Sequence, residues 1–464
     1  MLDNKLMNNR LLKDTIVLLL GSIIFMLFAL YNGFPIVSGD SITYLQSGFE
    51  LKASAERPIF YGLFIRLTSL NYFSVWLTMF IQSLILCYVV LRLIKHLLPR
   101  IEITHQIGLV LIIALGTISS WYAGQLMPDI FTPILGISVF LFLFSKNTKR
   151  QVIILLCIIF LSTLVHFSNY ISLTLLAFVL IVSLIAFRSY RRQLLLKTIG
   201  LLCVAIVSWT SLMTSNYLSG RGFVTSSVAH IFLMGKLSES GVLKTYLEKA
   251  CPIYNYKICA YKDNLPPVAW EFVWDQTNSP VFKTGGWDSN KVEYNKIIKD
   301  IASRPKYWGF MSYKSIEATI RQVILTNIDE GEERSWIKFE KDHPLFIELG
   351  KRFPHEINEF QVARQNYKTL NLNFYDDVYI LFLLLTSVFV LFGLSADSKK
   401  NALPVYIFFI GFIFINAFST ATFGNVLSRL NSRNIWLLPM INLVYIYCMY
   451  AKRYIANNEK STQF

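Results

Sequence analysis

The stretch TIVLLLGSIIFMLFALYNGFPI (residues 15–36), followed at once by VSGDSITY (residues 37–44), decides the fold class of this chain. A helix needs roughly 20 mostly apolar residues to cross a bilayer, and residues 15–36 meet that length. Asp40 follows shortly after this segment. Its carboxylate is therefore expected at a membrane surface, in the first external loop (37–72).

Apolar segments of this kind recur along the chain. The sequence is 54% hydrophobic over 464 residues, which is too apolar for an ordinary soluble enzyme. The pattern predicts an all-α polytopic membrane protein with about ten transmembrane helices. The predicted segments are 15–36, 73–93, 106–122, 130–145, 151–167, 171–187, 198–214, 378–395, 403–423 and 434–450.

Basic residues predict the orientation of these helices, because Lys and Arg collect in cytoplasmic loops. The residues before the first segment are basic, so that segment is expected to be a retained anchor with its N-terminus inside. Every second connection is then cytoplasmic and basic, and the C-terminus is also inside. The net charge of +15 follows largely from this topology and indicates contact with anionic lipids rather than nucleic acid. The basic residues are Arg92, Lys95, Arg100, Lys146, Lys149, Arg150, Arg188, Arg191, Arg192, Lys197, Lys399, Lys400, Lys452 and Arg453.

One long polar interval, residues 215–377, separates an N-terminal membrane module (1–214) from a C-terminal one (378–464). The topology places it outside the cytoplasm, and helical stretches such as 290–303 predict an α-rich domain packed against the membrane face. Cys251 and Cys259 lie in it. In an oxidising compartment they would close a short disulfide loop, and otherwise they are two small buried residues.

Asp40 begins a stretch with helical periodicity. Ile42, Leu45 and Phe49 recur at helical spacing, which predicts a short interfacial helix over residues 41–54. Asp40 would lie at the N-terminus of that helix. Its carboxylate either carries chemistry or accepts backbone N–H bonds as a helix cap.

Three arginines are expected on the same outer face as Asp40. Arg57 follows Glu56 and precedes Pro58, whereas Arg429 and Arg433 precede the last predicted helix, against the positive-inside bias. A guanidinium can bind two oxygens at once, so it suits a phosphate. The alternatives are a lipid-facing anchor for Arg57 and plain surface exposure for the other two.

Two further polar residues are predicted at this membrane depth. Asp129 follows Pro128 at the outer start of the fourth helix, where it is a second acid or an N-cap. His166 lies in the outer turn between the fifth and sixth helices. An ionisable residue at the end of a membrane helix is a functional candidate, although a hydrogen bond to a neighbouring loop also accounts for it.

Three motifs resemble the GT-C superfamily of integral membrane glycosyltransferases, of the protein mannosyltransferase or aminoarabinose transferase type. GDSITY (39–44) is similar to the acidic motif of the first external loop, ERPI (56–59) to the basic-Pro segment after it, and residues 429–439 to the Arg-rich entry into a late helix. Asp129 occupies the position of the second acidic motif. That motif often has two adjacent acids, and this chain has one, so a divalent metal remains an open possibility.

The resemblance implies an enzyme that uses a polyprenyl-phosphate-linked sugar donor and a glycan, lipid or protein acceptor. It implies that Asp40 is the general base, with inversion at the sugar, and that Asp129 is a second catalytic acid. The site would lie on the extracytoplasmic face of the inner (plasma) membrane, in contact with membrane lipids. The resemblance assigns the lipid phosphate to Arg57, Arg429 and Arg433, and other substrate contacts to Tyr44, Glu56 and His166.

Two other classes of function remain open from the sequence. A transporter or flippase of lipid-linked intermediates would need charged residues inside the spans, and these segments hold few. A non-catalytic scaffold for envelope assembly would use the tryptophans of the outer domain to bind a partner or a glycan.

Overall fold

The computed structural model describes residues 2–186, 191–328, 340–367 and 372–461. Arg188 and the last residue of the predicted segment 171–187 therefore lie outside the described residues. Within the described ranges the regular structure is helical, and the one isolated β-bridge joins Ile36 to Gln125.

The N-terminal module consists of eleven helices in the described ranges, and they cover all seven predicted apolar segments of this part. A 3-10 turn, Pro128–Ile130, precedes the eighth. The helices are α1 (Leu2–Phe25), α2 (Leu27–Asn32), α3 (Gly39–Glu50), α4 (Phe60–Thr68), α5 (Val75–Leu97), α6 (Ile103–Gly116), α7 (Ser119–Ala123), α8 (Phe131–Phe144), α9 (Lys149–Leu164), α10 (Phe167–Ala186) and α11 (Arg191–Leu218).

The rest of the chain continues the helical series. The predicted helix over 290–303 is confirmed as α17. The helices are α12 (Ala229–Glu239), α13 (Val242–Ala250), α14 (Ala269–Trp274), α15 (Pro280–Lys283), α16 (Gly286–Ser289), α17 (Lys291–Ala302), α18 (Pro305–Ile324), α19 (Pro344–Arg352), α20 (Ile357–Val362), α21 (Leu372–Gly393), α22 (Ala396–Phe423), α23 (Ser428–Ile435) and α24 (Leu437–Ser461).

Six helical segments in the described ranges are long and apolar enough to cross a membrane. Two shorter apolar helices, Ile103–Gly116 and Pro128–Phe144, fall below that length. The chain therefore has the character of a helical membrane protein, and ten spans and their orientation stay predictions. The six segments are Val75–Leu97, Phe167–Ala186, Leu194–Leu218, Asn373–Gly393, Ser398–Phe423 and Ser428–Ala451.

Helix α8 lies at the centre of the membrane part. All of its residues from Phe131 to Leu143 are buried, and α5, α9, α11 and α22 pack around it. A helix that is apolar on every side is typical of such a central position. Because the turn containing Asp129 leads directly into α8, that carboxylate is buried as well.

The interval predicted as one outer domain divides into two parts. Helices α12, α13, α14 and α17 share a separate hydrophobic core, and we call residues 228–307 the outer domain. A disulfide joins Cys251 to Cys259, whose Cα atoms are 5.8 Å apart. In contrast, α18 packs against α22, and α19 and α20 contribute to the core of the membrane helices.

Candidate functional site

Asp40 is positioned by an extended segment that is hydrogen-bonded on two sides. The Ile36 N–H donates to the Gly124 carbonyl at 2.9 Å, and the Leu126 N–H donates to the Ile36 carbonyl at 2.8 Å. On the other side, the side chain of Gln365 bonds both the N–H and the carbonyl of Val37. These bonds fix the backbone from which α3 begins.

The N-cap of α3 is Ser38, whose backbone N–H donates to Ser41 Oγ at 3.1 Å. Asp40 lies in the first turn, and the hydrogen bonds that its carboxylate makes in the described structure go to two arginines. The cap interpretation is therefore not the one that the geometry supports. The helix itself is shorter than the predicted 41–54, because Leu51 adopts a left-handed conformation with φ of 55° and ends it.

The two arginines that bind Asp40 come from distant parts of the chain. Arg57 Nη2 donates to Asp40 Oδ1 at 2.5 Å, and Arg429 Nη2 donates to Asp40 Oδ2 at 3.0 Å. Burial raises the pKa of Asp40, but the two guanidinium charges and their hydrogen bonds outweigh it and lower the pKa to about 2. Arg57 also lies over the ring of Tyr44, 5.5 Å from its centroid.

Beneath this cluster lies a second, fully buried ion pair. Arg433 and Asp129 have side chains 0% and 1% exposed, and Arg433 Nη1 donates to Asp129 Oδ1 at 2.9 Å. Arg433 Nη2 donates to Ser168 Oγ at 2.8 Å, and Nη1 lies 3.2 Å from His166 Nε2. Asp129 thus holds Arg433 rather than capping a helix.

His166 is neutral in this arrangement. A guanidinium can only donate, so His166 Nε2 accepts from Arg433, while Nδ1 lies 3.2 Å from the Ser168 backbone N–H donor and 2.8 Å from Ser168 Oγ. Burial, followed by the charges of Arg433 and Arg429, lowers the pKa of His166 well below its usual value. His166 therefore contacts the buried pair and also lines the cavity, with its neutral form favoured.

A cavity of about 790 Å³ opens above these residues. Most of the residues predicted as a site line it, whereas Asp129 and Arg433 lie behind its wall, and Cys251 and Cys259 lie elsewhere in the outer domain. The predicted residues that line the cavity are Asp40, Tyr44, Glu56, Arg57, His166 and Arg429.

The outer domain supplies an aromatic wall to the same cavity. Phe232 and Leu233 face it from α12, and Trp270 and Trp274 from α14. Sequence reasoning missed this wall, as it missed Ser168. The signal was present, because Trp270 and Trp274 are four residues apart and therefore share one helix face.

An apolar groove of about 410 Å³ lies near the cavity, between α10, α18 and α22. On α10, Ile171 lines the cavity, and Leu175 and Phe178 line the groove. On α22, Ser419 lines the cavity and Ile415 the groove. These spacings of three and four residues place cavity and groove on the same face of each helix.

The acidic residues do not form a metal site in the described part of the chain. Mg²⁺ or Ca²⁺ needs several oxygen ligands, and the described residues contain no cluster of three or more His, Cys, Asp or Glu side chains. Asp40 and Asp129 each face a guanidinium instead. The described residues therefore provide no set of ligands for a divalent metal.

Comparisons of the chain with protein-family models, with curated proteins and with solved structures found no match. The resemblance to the GT-C superfamily therefore depends on the three short motifs.

Proposed function

We propose that this protein is a membrane glycosyltransferase that transfers a sugar from a polyprenyl-phosphate donor to an acceptor hydroxyl on the extracytoplasmic face. The observation that carries the proposal is the cluster of Asp40, Arg57 and Arg429 in a large cavity, with an apolar groove one helical turn away along α10 and α22. In this proposal ten helices span the membrane, and both termini are cytoplasmic.

The charges of the site favour an anionic ligand. Three arginines face two carboxylates in the ion pairs, so positive charge is in excess beside Asp40 and Asp129, while Glu56 lies on the cavity wall outside these pairs. Arg57 and Arg429 reach the cavity, where their planar donors suit phosphate oxygens. Arg433 lies behind the wall and would stabilise the departing phosphate through its field rather than by contact.

The groove supports a lipid-linked donor. Its lining is apolar apart from Thr319, and it lies one helical turn from the cavity along α10 and α22. A molecule with a phosphate head at Arg57 and Arg429 would extend its polyprenyl chain along α10 and α22. One elongated site would thus hold both ends of an amphipathic donor.

Asp40 is the proposed general base. The acceptor oxygen attacks the anomeric carbon from the side opposite the phosphate, and its proton passes to Asp40. The bond between that carbon and the phosphate oxygen breaks, and the lipid phosphate leaves with the electron pair, held by the arginines. The product has inverted configuration, and general base catalysis of this kind contributes about 10²- to 10⁴-fold to rate.

The disulfide Cys251–Cys259 supports an extracytoplasmic location of the outer domain. Disulfides persist in oxidising compartments and are rare in the cytosol. A site covered by this domain would open on the outer face of the plasma membrane.

The test is to reconstitute the purified protein in liposomes with a panel of polyprenyl-phosphate sugars and to measure donor turnover. We expect turnover with at least one donor, and a loss of about 10²-fold or more in Asp40→Asn. Arg429→Gln should weaken donor binding as well. Asp263→Asn and Arg304→Gln are matched controls, since both residues are exposed in the outer domain and should keep full turnover.

Two results would overturn the proposal. One is full activity of a folded Asp40→Asn variant, and the other is no turnover with any donor by folded wild-type protein. Flux of a labelled lipid across the vesicles without a glycosidic product would indicate a transporter instead. Binding of a partner or glycan that needs neither Asp40 nor Arg433 would indicate a scaffold.

A further inference from the structure

The cavity has two chemically different ends. The membrane helices contribute the charged end, with Asp40 and Arg57, and the outer domain contributes the aromatic end, with Trp270, Trp274 and Phe232. The apolar groove lies between α10, α18 and α22 and shares no lining residue with the aromatic end. A donor that fills the charged end and the groove leaves the aromatic end for the second substrate.

Trp274 is held firmly in this wall. Its ring makes edge contacts with Phe232 at 6.2 Å and with Trp287 at 5.1 Å between centroids. The backbone carbonyl of Trp287 in turn lies 3.0 Å from His230 Nε2. Because these neighbours fix the indole, a ligand that stacks on it pays little ordering entropy.

We propose that Trp270 and Trp274 form a saccharide subsite and that the acceptor is therefore a glycan. A sugar ring presents apolar C–H faces, which stack on indole, and hydroxyl edges, which need hydrogen-bond partners. Glu56, Ser226 and Asn425 line the same cavity and supply such partners. The assignment rests on the proposed function, since it names the acceptor class of that site.

A lipid acceptor or a second lipid chain fits the aromatic wall less well. The wall belongs to the outer domain, whose helices carry many charged residues, such as Lys244, Glu248 and Lys249 on the outer side of α13. Indole N–H groups also favour a ligand with hydrogen-bonding capacity. A polypeptide hydroxyl acceptor is the competing outcome of the test.

The experiment measures binding of a panel of soluble oligosaccharides to the purified full-length protein by isothermal titration calorimetry, without any donor. Trp270→Ala and Trp274→Ala are compared with Trp274→Phe, which keeps an aromatic ring. Trp308→Ala is the matched control, because Trp308 is 54% exposed on α18, bonds the Ala302 carbonyl and does not line the cavity.

We expect at least one oligosaccharide to bind, with affinity about 10-fold weaker in the alanine variants and largely retained in Trp274→Phe and Trp308→Ala. In the transfer assay, KM for that acceptor should rise while KM for the donor stays constant. The melting temperature of each variant shows whether it is folded.

No binding by wild type, equal binding by folded Trp variants, or binding of serine- and threonine-containing peptides alone would overturn the inference. Its failure is distinguishable from failure of the proposed function. Oligosaccharide binding that depends on the tryptophans, without donor turnover, would support the saccharide subsite and refute the proposed transferase activity. Turnover that depends on Asp40 but not on the tryptophans would do the reverse.

Discussion

Replacing Arg433 by Met should destabilise the protein strongly, because it leaves Asp129 buried without its cation. Both side chains are essentially unexposed, and Asp129 Oδ2 has no hydrogen bond to any residue in the described ranges. Removing one partner of a buried pair costs about 3–5 kcal/mol. Ser168 also loses a donor, at about 1 kcal/mol, so the upper part of that range is expected.

The assay is thermal unfolding of the purified protein in detergent, followed by aggregation or intrinsic fluorescence. For a chain of 464 residues we take about 1–2 °C per kcal/mol, scaled from smaller domains, so Arg433→Met should lower the apparent melting temperature by about 5 °C. The Arg304–Asp300 pair, whose side chains are 43% and 28% exposed, provides the control, and Arg304→Met should cost less than about 1 kcal/mol.

The double variant Asp129→Asn/Arg433→Met tests whether the loss of stability comes from the unpaired Asp129 carboxylate. If the cost comes from an uncompensated carboxylate, removing that charge should recover most of the lost stability, with a coupling of about 2–3 kcal/mol. Strictly additive losses, or an Arg433→Met protein that melts within about 1 °C of wild type, would refute the assignment of Arg433 as the partner of a buried charge.

Three other perturbations test the arrangement around the site. Burial is the first cause of the lowered pKa of His166, so the folded protein favours the neutral imidazole. The unfolded chain binds a proton at His166 below about pH 6.5, and the stability of the protein should therefore fall as the pH drops below that value. In a plot of melting temperature against pH, His166→Asn should show a smaller fall. Gly48→Ala would put a Cβ 2.2 Å from the Gly62 carbonyl oxygen and force α3 away from α4. The yield of folded protein, measured by size-exclusion chromatography, should therefore fall strongly. Gly108→Ala is the control, because a Cβ there meets open space and should leave the yield unchanged. Cys251→Ser should lower the free energy of unfolding by about 2–3 kcal/mol, because the disulfide joins residues 8 positions apart. Dithiothreitol should lower the melting temperature of the wild type and leave that of Cys251→Ser unchanged.

The shared location of Asp40, Arg57 and Arg429 could be predicted from the sequence. Hydropathy and the positive-inside bias place the ends of alternate helices on one face, so residues 389 positions apart are restricted to the same thin layer. Arg429 and Arg433 were recognisable because they depart from that bias in the predicted topology. The basic residues predicted to be cytoplasmic fit the rule and are therefore less informative.

How deeply each arginine lies within the helix bundle could not be predicted from the sequence. Arg429 and Arg433 are one helical turn apart on α23, about 6 Å along its axis, yet one lines the cavity and the other is completely buried. Which carboxylate each binds depends on how α23 packs between α8 and α22. Similarly, the aromatic wall requires α12 and α14 to dock over the cavity, which is a tertiary event that local periodicity does not encode.

The two arginines that bind Asp40 also offer a reason for the order of events at the site. With a pKa of about 2, Asp40 is a weak base while both guanidiniums bind it. A phosphate that binds Arg57 and Arg429 would compete for the same donors and compensate their charge. The burial of Asp40, which raises its pKa, would then dominate. In the proposed transferase, donor binding would therefore strengthen the base that activates the acceptor, and the acceptor hydroxyl would be deprotonated only when a donor is in place.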